Sequence, residues 1–236
     1  MKKLLISVIA LCSISAFAQQ HTQEQEKASL TAKASTLGLG VEYALPVAPK
    51  VKVGIGANYL GLKRDFTDNN LNLHAKAKLF TAGITGYYQP WDNGFNLNGG
   101  LFYNANRADL TGKAEQQTTG KTYTLNGEQY SANNIQHIKG SVDFNKIAPY
   151  IGIGYQSGNS SQEGWGFDAN LGVMYQGTPK VSLSATCSNQ LSATEFGQQV
   201  CTNLKNDLNA ERNKLQNDIN RMKFYPVTSV GVIYRF

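Results

Sequence analysis

The stretch "WGFDANLGVMY", Trp165–Tyr175, decides how this chain folds. Trp165, Phe167, Ala169, Leu171, Val173 and Tyr175 share one parity; Gly166, Asp168, Asn170 and Gly172 share the other. Alternation with period two marks a β-strand with one apolar face. A sandwich would bury that face and charge the opposite one, yet the opposite face here is small and uncharged apart from Asp168. From Trp165 to Tyr175 the strand projects to roughly 25 Å at about 3.3 Å per residue and a tilt near 40°, the height of the apolar band between two aromatic girdles of an outer-membrane barrel.

The same pattern recurs along the chain. It runs through "LGLGVEYAL" from Leu37, "VKVGIGANY" from Val51, "FTAGITGYY" from Phe80, "FNLNGGLFYNANR" from Phe95, "KIAPYIGIGY" from Lys146 and "PVTSVGVIYRF" from Pro226. An eighth, weaker strand is expected near "EKASLTAKA", with Ala28, Leu30 and Ala32 on one face. It is partly required by closure, because a bacterial barrel has an even strand number and an unpaired edge cannot face lipid. Tyr43, Tyr88, Trp91, Phe95, Tyr155, Trp165, Phe167, Tyr234 and Phe236 gather at one end of the strands, and Tyr59, Tyr103, Tyr175 and Tyr225 at the other. The fold class is therefore all-β, an eight-stranded antiparallel transmembrane barrel.

Short turns belong on the periplasmic side and long loops outside. That places the C-terminus in the periplasm and the extracellular loops near 64–72, 110–140 and 184–222, with a tight first loop near Lys33–Thr36. "KTYTLNGEQY" carries Asn126-Gly127 between β-prone runs, a strong hairpin signal. In the last loop Leu204, Leu208, Leu215, Ile219 and Met222 fall along one helical stripe, which predicts a short amphipathic helix. The terminal Tyr234-x-Phe236 fits the signal read by the barrel-assembly machinery.

Residues 1–18, "MKKLLISVIALCSISAFA", read as a secretory leader, with Lys2 and Lys3, an apolar core and an Ala16-Phe17-Ala18 cleavage site. The mature chain, 19–236, is then the barrel. The whole chain has 22 basic and 16 acidic residues, net +6, and losing Lys2 and Lys3 leaves +4. This mild excess, with no basic run, argues against a nucleic-acid partner. Of three cysteines, Cys12 leaves with the leader. Cys187 and Cys201 then face an oxidising compartment, where a bridge between them is expected over two free thiols.

"APYIGIGYQ" (Ala148–Gln156), "WGFDANLGVMYQGTPKVSL" (Trp165–Leu183) and the terminal "ERNKLQNDINRMKFYPVTSVGVIYRF" resemble the CarO-type ornithine-uptake porin family. These are opacity-like outer-membrane proteins also linked to carbapenem entry. The resemblance covers most of the mature chain. It implies an outer-membrane β-barrel in a Gram-negative bacterium and a porin for small solutes such as basic amino acids, ornithine among them. The other reading of the residues is a non-conducting surface barrel whose loops mediate adhesion or envelope integrity.

Inward positions that could meet a solute are Glu42, Lys52, Asn58, Asn96, Asn98, Asn104, Tyr150, Asp168, Asn170 and Arg235. Glu42 and Asp168 could be transient partners of a cationic amino acid, or they could neutralise Lys52 and Arg235 in a polar plug. An enzyme is not expected. The mature histidines, His21, His74 and His137, have no nucleophile motif beside them, and two cysteines fourteen apart lack companion metal ligands. No cofactor is expected.

Overall fold

A computed structural model describes residues 26–68, 71–114, 122–131, 135–188 and 193–236. The segment read as a leader, 1–18, the expected mature start and His21 lie outside them. Eight antiparallel strands close on themselves: β1 (Ser29–Ser35), β2 (Gly38–Ala48), β3 (Val51–Asp68), β4 (Leu71–Tyr88), β5 (Phe95–Asn104), β10 (Ile147–Gln156), β11 (Gly164–Tyr175) and β13 (Phe224–Arg235). The expected weak first strand is present, and it closes the barrel by pairing on one side with β13, Leu30 opposite Tyr234, and on the other with β2. Along every barrel strand the apolar parity points outward: Leu39, Ile55, Ile84, Leu101, Ile151, Leu171 and Val232 are exposed. An apolar exterior of this extent is unstable in water and stable against lipid. No helix among the described residues is long and apolar enough to cross a membrane.

Aromatic contacts hold the girdle at the turn end. Trp165 packs on Tyr234 at 4.9 Å between ring centroids, Phe95 on Tyr155 at 5.1 Å, and Phe236 stacks between Tyr43 and Tyr234 at 6.1 and 6.3 Å. At the other end Tyr175 pairs with Phe224 at 5.3 Å. Tyr225, expected in this girdle, is instead turned inward. Its hydroxyl donates to the Thr36 carbonyl at 2.7 Å, and Phe224, 63 % exposed, takes the outer position. Alternation from Phe224 through Tyr234 places the odd member inside, a parity the tyrosine-only pattern concealed.

Of the segments expected as loops, 64–72 and 110–140 are largely strand where described, and 184–222 is largely helix. β3 and β4 run 18 residues each and rise beyond the barrel. β4 then pairs with β6 (Arg107–Ala114), β6 with β9 (Ile135–Asp143), and β9 with β12 (Lys180–Cys187), which makes a tall sheet above one side of the rim. β6, β9 and β12 continue β5, β10 and β11 after short breaks. At the first break the Asn106 side chain accepts from Phe80 N at 2.9 Å, so the interrupted ladder leaves no orphan there. At the third, Gly177 has φ 71°, and a Cβ would lie 2.0 Å from Asn145 Nδ2, so only glycine fits the bend.

The expected hairpin is present as β7 (Thr122–Leu125) and β8 (Glu128–Ser131), turning through Asn126 and Gly127 with φ 51° and 90°. The helix, α1 (Glu195–Ile219), is 25 residues rather than short; Thr194 caps it by accepting from Gly197 N at 3.1 Å. Leu204 and Leu208 bury against Leu183, Ala185 and Ile138 of the sheet, with the Cys187–Cys201 disulfide at the same contact. The expected stripe does not continue. The face that meets the sheet passes next through Gln216, which bonds Val181 N at 3.0 Å and the Pro179 carbonyl at 2.7 Å on the edge strand. Leu215 is left partly exposed, and Met222, 60 % exposed, lies past the helix end. The side chain of Gln216 thereby covers backbone that an edge strand would otherwise present.

The hairpin is fastened to α1 by Lys214 Nζ donating to Asn126 Oδ1 at 2.8 Å and by the Tyr130 hydroxyl donating to Asp207. Burial, and then that hydrogen bond, pushes the Tyr130 hydroxyl up to about 12. The folded state favours the neutral phenol, so this contact is at full strength below pH 10.0, the ordinary phenol value, and is lost as pH rises through about 12. Hydrogen exchange of β8 is expected to quicken over that interval, and the Tyr130→Phe variant to lack this part of the pH response.

Candidate functional site: the lumen

Ten of the positions read as inward from sequence do line the barrel interior. Glu42, Lys52, Asn58, Asn96, Asn98, Asn104, Asp168, Asn170 and Arg235 are buried, and Tyr150 is half-buried. Eight strands leave so narrow a space that a side chain from one wall rests on glycine in another. The Tyr150 ring lies where a Cβ on Gly172 would come within 2.5 Å, and Asn170 and Asn96 fill the space before Gly154.

The lumen is filled at three levels, two of them polar. At the turn end Lys52 meets Glu26 at 3.5 Å, and the Arg235 guanidinium lies over Gly158 and Gly166. Asp168 accepts from Gln156 Nε2 at 3.0 Å and from Asn170 Nδ2 at 2.7 Å. In the middle, Glu42 pairs with Lys33 at 3.0 Å and accepts from the Tyr87 hydroxyl. Beside it run Asn96, Asn98, Asn170 and Ser229, joined by amide hydrogen bonds of 2.9–3.3 Å, and Asn58 donates to Thr81 at 3.1 Å. Glu42 thus has partners other than the two cations first matched to the carboxylates, namely Lys33 and Tyr87, while Asp168 is held by amides and its charge acts on Arg235. Lys33, Tyr87, Gln156 and Glu26 were not singled out from the sequence. The first three share the inward parity of their strands and were legible by it; Glu26 precedes β1 and carries no such signal.

The third level is apolar. Leu37, Phe102, Ala148, Met174 and Val227 pack together inside the barrel, with Tyr150 and Tyr225 against them and Phe102 edge-on to Tyr150 at 5.8 Å. This layer sits at the tall-sheet end, four residues along β5 and β11 from Asn98 and Asn170. A cavity of about 30 Å³ remains beneath it, lined by Lys33, Asn58, Tyr87, Asn98, Asn170 and Ser229 among others. That holds about two waters and no amino acid. Below the layer Asn58 Oδ1, Asn96 Nδ2, Asn98 Oδ1 and Arg235 Nε are buried without a hydrogen-bond partner among the described residues. Such atoms cost about 1–3 kcal/mol each unless water reaches them. The column is polar with hydrogen-bonding capacity left over, and the layer above it is apolar.

The comparisons with known proteins fit this construction. A family model, autotransporter beta-domain, matches residues 14–162, more than half the chain. The chain belongs to that family. Two solved structures share the barrel. The crystal structure of Acinetobacter baumannii CarO is 22 % identical with a TM-score of 0.54, and the match covers 92 % of this chain and 100 % of that one. Acinetobacter baumannii CarO2 is 23 % identical with a TM-score of 0.53, covering 89 % and 99 %. At this identity the likeness carries the fold, and it agrees with the resemblance read from residues 147–183 and 211–236. No curated protein matches the chain. This autotransporter beta-domain is therefore an eight-stranded barrel of the outer-membrane type with a filled, mainly polar lumen.

Proposed function

We propose that the protein is a porin-class outer-membrane barrel, closed in this state, which passes small polar solutes when its apolar layer parts. Cationic amino acids such as ornithine are the solute class its lumen suits. The observation that carries this reading is a polar column, with Glu42 and Asp168 on its wall, shut by a single layer of five buried apolar side chains. Both carboxylates face neighbours that a solute ammonium could displace: an amide pair at Asp168, a lysine and a phenol at Glu42. In this reading residues 1–18 are a leader, Tyr234 and Phe236 engage the barrel-assembly machinery, the C-terminus is periplasmic, and the tall sheet stands outside the cell. The short turns at the C-terminal end and the long ascending strands at the other support that orientation.

The second reading is a non-conducting barrel that displays the sheet, hairpin and helix to a surface partner; the small cavity favours it. Asp168→Ala separates the two. In proteoliposomes the variant is expected to lose the preference for labelled ornithine over a neutral amino acid of similar size. A rise in uptake of both solutes alike would mean that Asp168 holds a plug, and unchanged uptake would remove Asp168 from either account.

A further inference from the structure

The outer face of the tall sheet continues the lipid-facing wall of the barrel, but its chemistry changes at one row. Below that row lie Tyr59 and Tyr103, both about half exposed. Above it, in register on the same face, stand Lys63, Lys76, Lys78, Arg107, Lys139 and Lys180, all exposed, against the three carboxylates of Asp65, Asp109 and Asp143. The carboxylates are engaged: Arg107 takes Asp109 at 2.8 Å and Asp143 at 3.4 Å, and His74 takes Asp65 at 2.6 Å. Lys63, Lys76 and Lys78 have no ion-pair partner among the described residues. Lys63 is directly opposite Lys76, and Lys78 is the next residue of that face on β4. Like charges opposite one another on a sheet are destabilising, unless an anion lies between them. Gly61, opposite Lys78, leaves room for the Tyr59 hydroxyl, which would lie 2.9 Å from a Cβ there. The tyrosine therefore points its polar tip up to the lysine row, as an interfacial tyrosine does.

We propose that Lys63, Lys76 and Lys78 bind the phosphate groups of an anionic glycolipid of the outer leaflet, with Tyr59 marking the level at which its acyl chains begin. The surface is continuous with the lipid-facing wall, and its charge is complementary to a phosphorylated headgroup lying flat against that wall. The inference rests on the proposed orientation, so the two are tested apart: a Ser182→Cys variant should react with an impermeant maleimide on intact cells if the sheet is extracellular. Binding is measured with the refolded full barrel in detergent, using lipopolysaccharide, its dephosphorylated form and inorganic phosphate as probes. Lipopolysaccharide should bind in a salt-sensitive manner, and the Lys63→Ser/Lys76→Ser/Lys78→Ser variant should bind about tenfold more weakly or worse. Heat-modified gel migration verifies that the variant is folded, and Lys205→Ser/Arg212→Ser/Lys214→Ser on α1, which also removes three positive charges, serves as a charge-matched control that should bind as wild type does. Equal binding by the triple variant and wild type, or equal binding of the dephosphorylated lipid, would overturn the proposal. Competition by millimolar inorganic phosphate as effective as by the lipid would assign the site to free phosphate and overturn it as a lipid site.

Discussion

Ile151→Arg is expected to destabilise the barrel in a bilayer by about 2–4 kcal/mol, the cost of a cation at the midplane of a lipid-facing wall. Ile151 lies midway along β10, opposite Gly99 on one side and Val173 on the other, and is 74 % exposed. In a water-soluble protein so exposed a position would tolerate arginine, with changes within about 0.5 kcal/mol. Urea titration of the refolded barrel in short-chain lipid vesicles measures the difference. A matching change at the rim, Ile147→Arg, should cost clearly less, because an interfacial arginine reaches headgroups. Equal, small effects at both positions would mean that the apolar exterior is not covered by lipid.

The second large effect concerns the apolar layer. Phe102 packs edge-on to Tyr150 and against Met174, both of which close the space over the Asn98–Asn170 level. Removing the ring and the thioether together, Phe102→Ala/Met174→Ala, deletes most of the layer's volume while leaving Leu37, Ala148 and Val227. In a dry core the two truncations would cost about 3–5 and 2–5 kcal/mol. Here the loss should be smaller, because the new cavity adjoins a polar column and should fill with water. Solute flux through the variant should rise severalfold over wild type. Urea titration and proteoliposome uptake on the same preparation measure both effects.

The barrel was legible because a lipid-facing wall and a narrow lumen impose opposite demands on alternate residues, so seven strands declare themselves through parity alone. β1 did not, since Thr31, Lys33 and Ser35 face inward and leave only Leu30 as a large apolar residue outside. Closure supplied what periodicity lacked. The tall sheet was hidden for another reason. Above the membrane neither face needs to be uniformly apolar, so Lys76 and Lys78 alternate with alanines and give no strand signal ahead of Phe80, although they belong to β4 without a break. Inward positions in the lumen followed from parity, but their partners did not. Charge counting pairs Glu42 with Lys52, whereas distance along the barrel axis brings it to Lys33, one strand away at a register that only pairing defines. The apolar layer was the least legible part, since Phe102, Met174 and Val227 lie far apart in sequence and meet only because three inward parities end at one height.

The measurement that bears most directly on the account is uptake of labelled ornithine, beside a neutral amino acid of similar size, by liposomes holding the mature protein or its Phe102→Ala/Met174→Ala variant. The account predicts slow uptake above empty liposomes for wild type, faster uptake for the variant, and a preference for ornithine in both. Uptake by the variant no faster than by empty liposomes would contradict it, and the lumen would then be a plug whatever layer covers it.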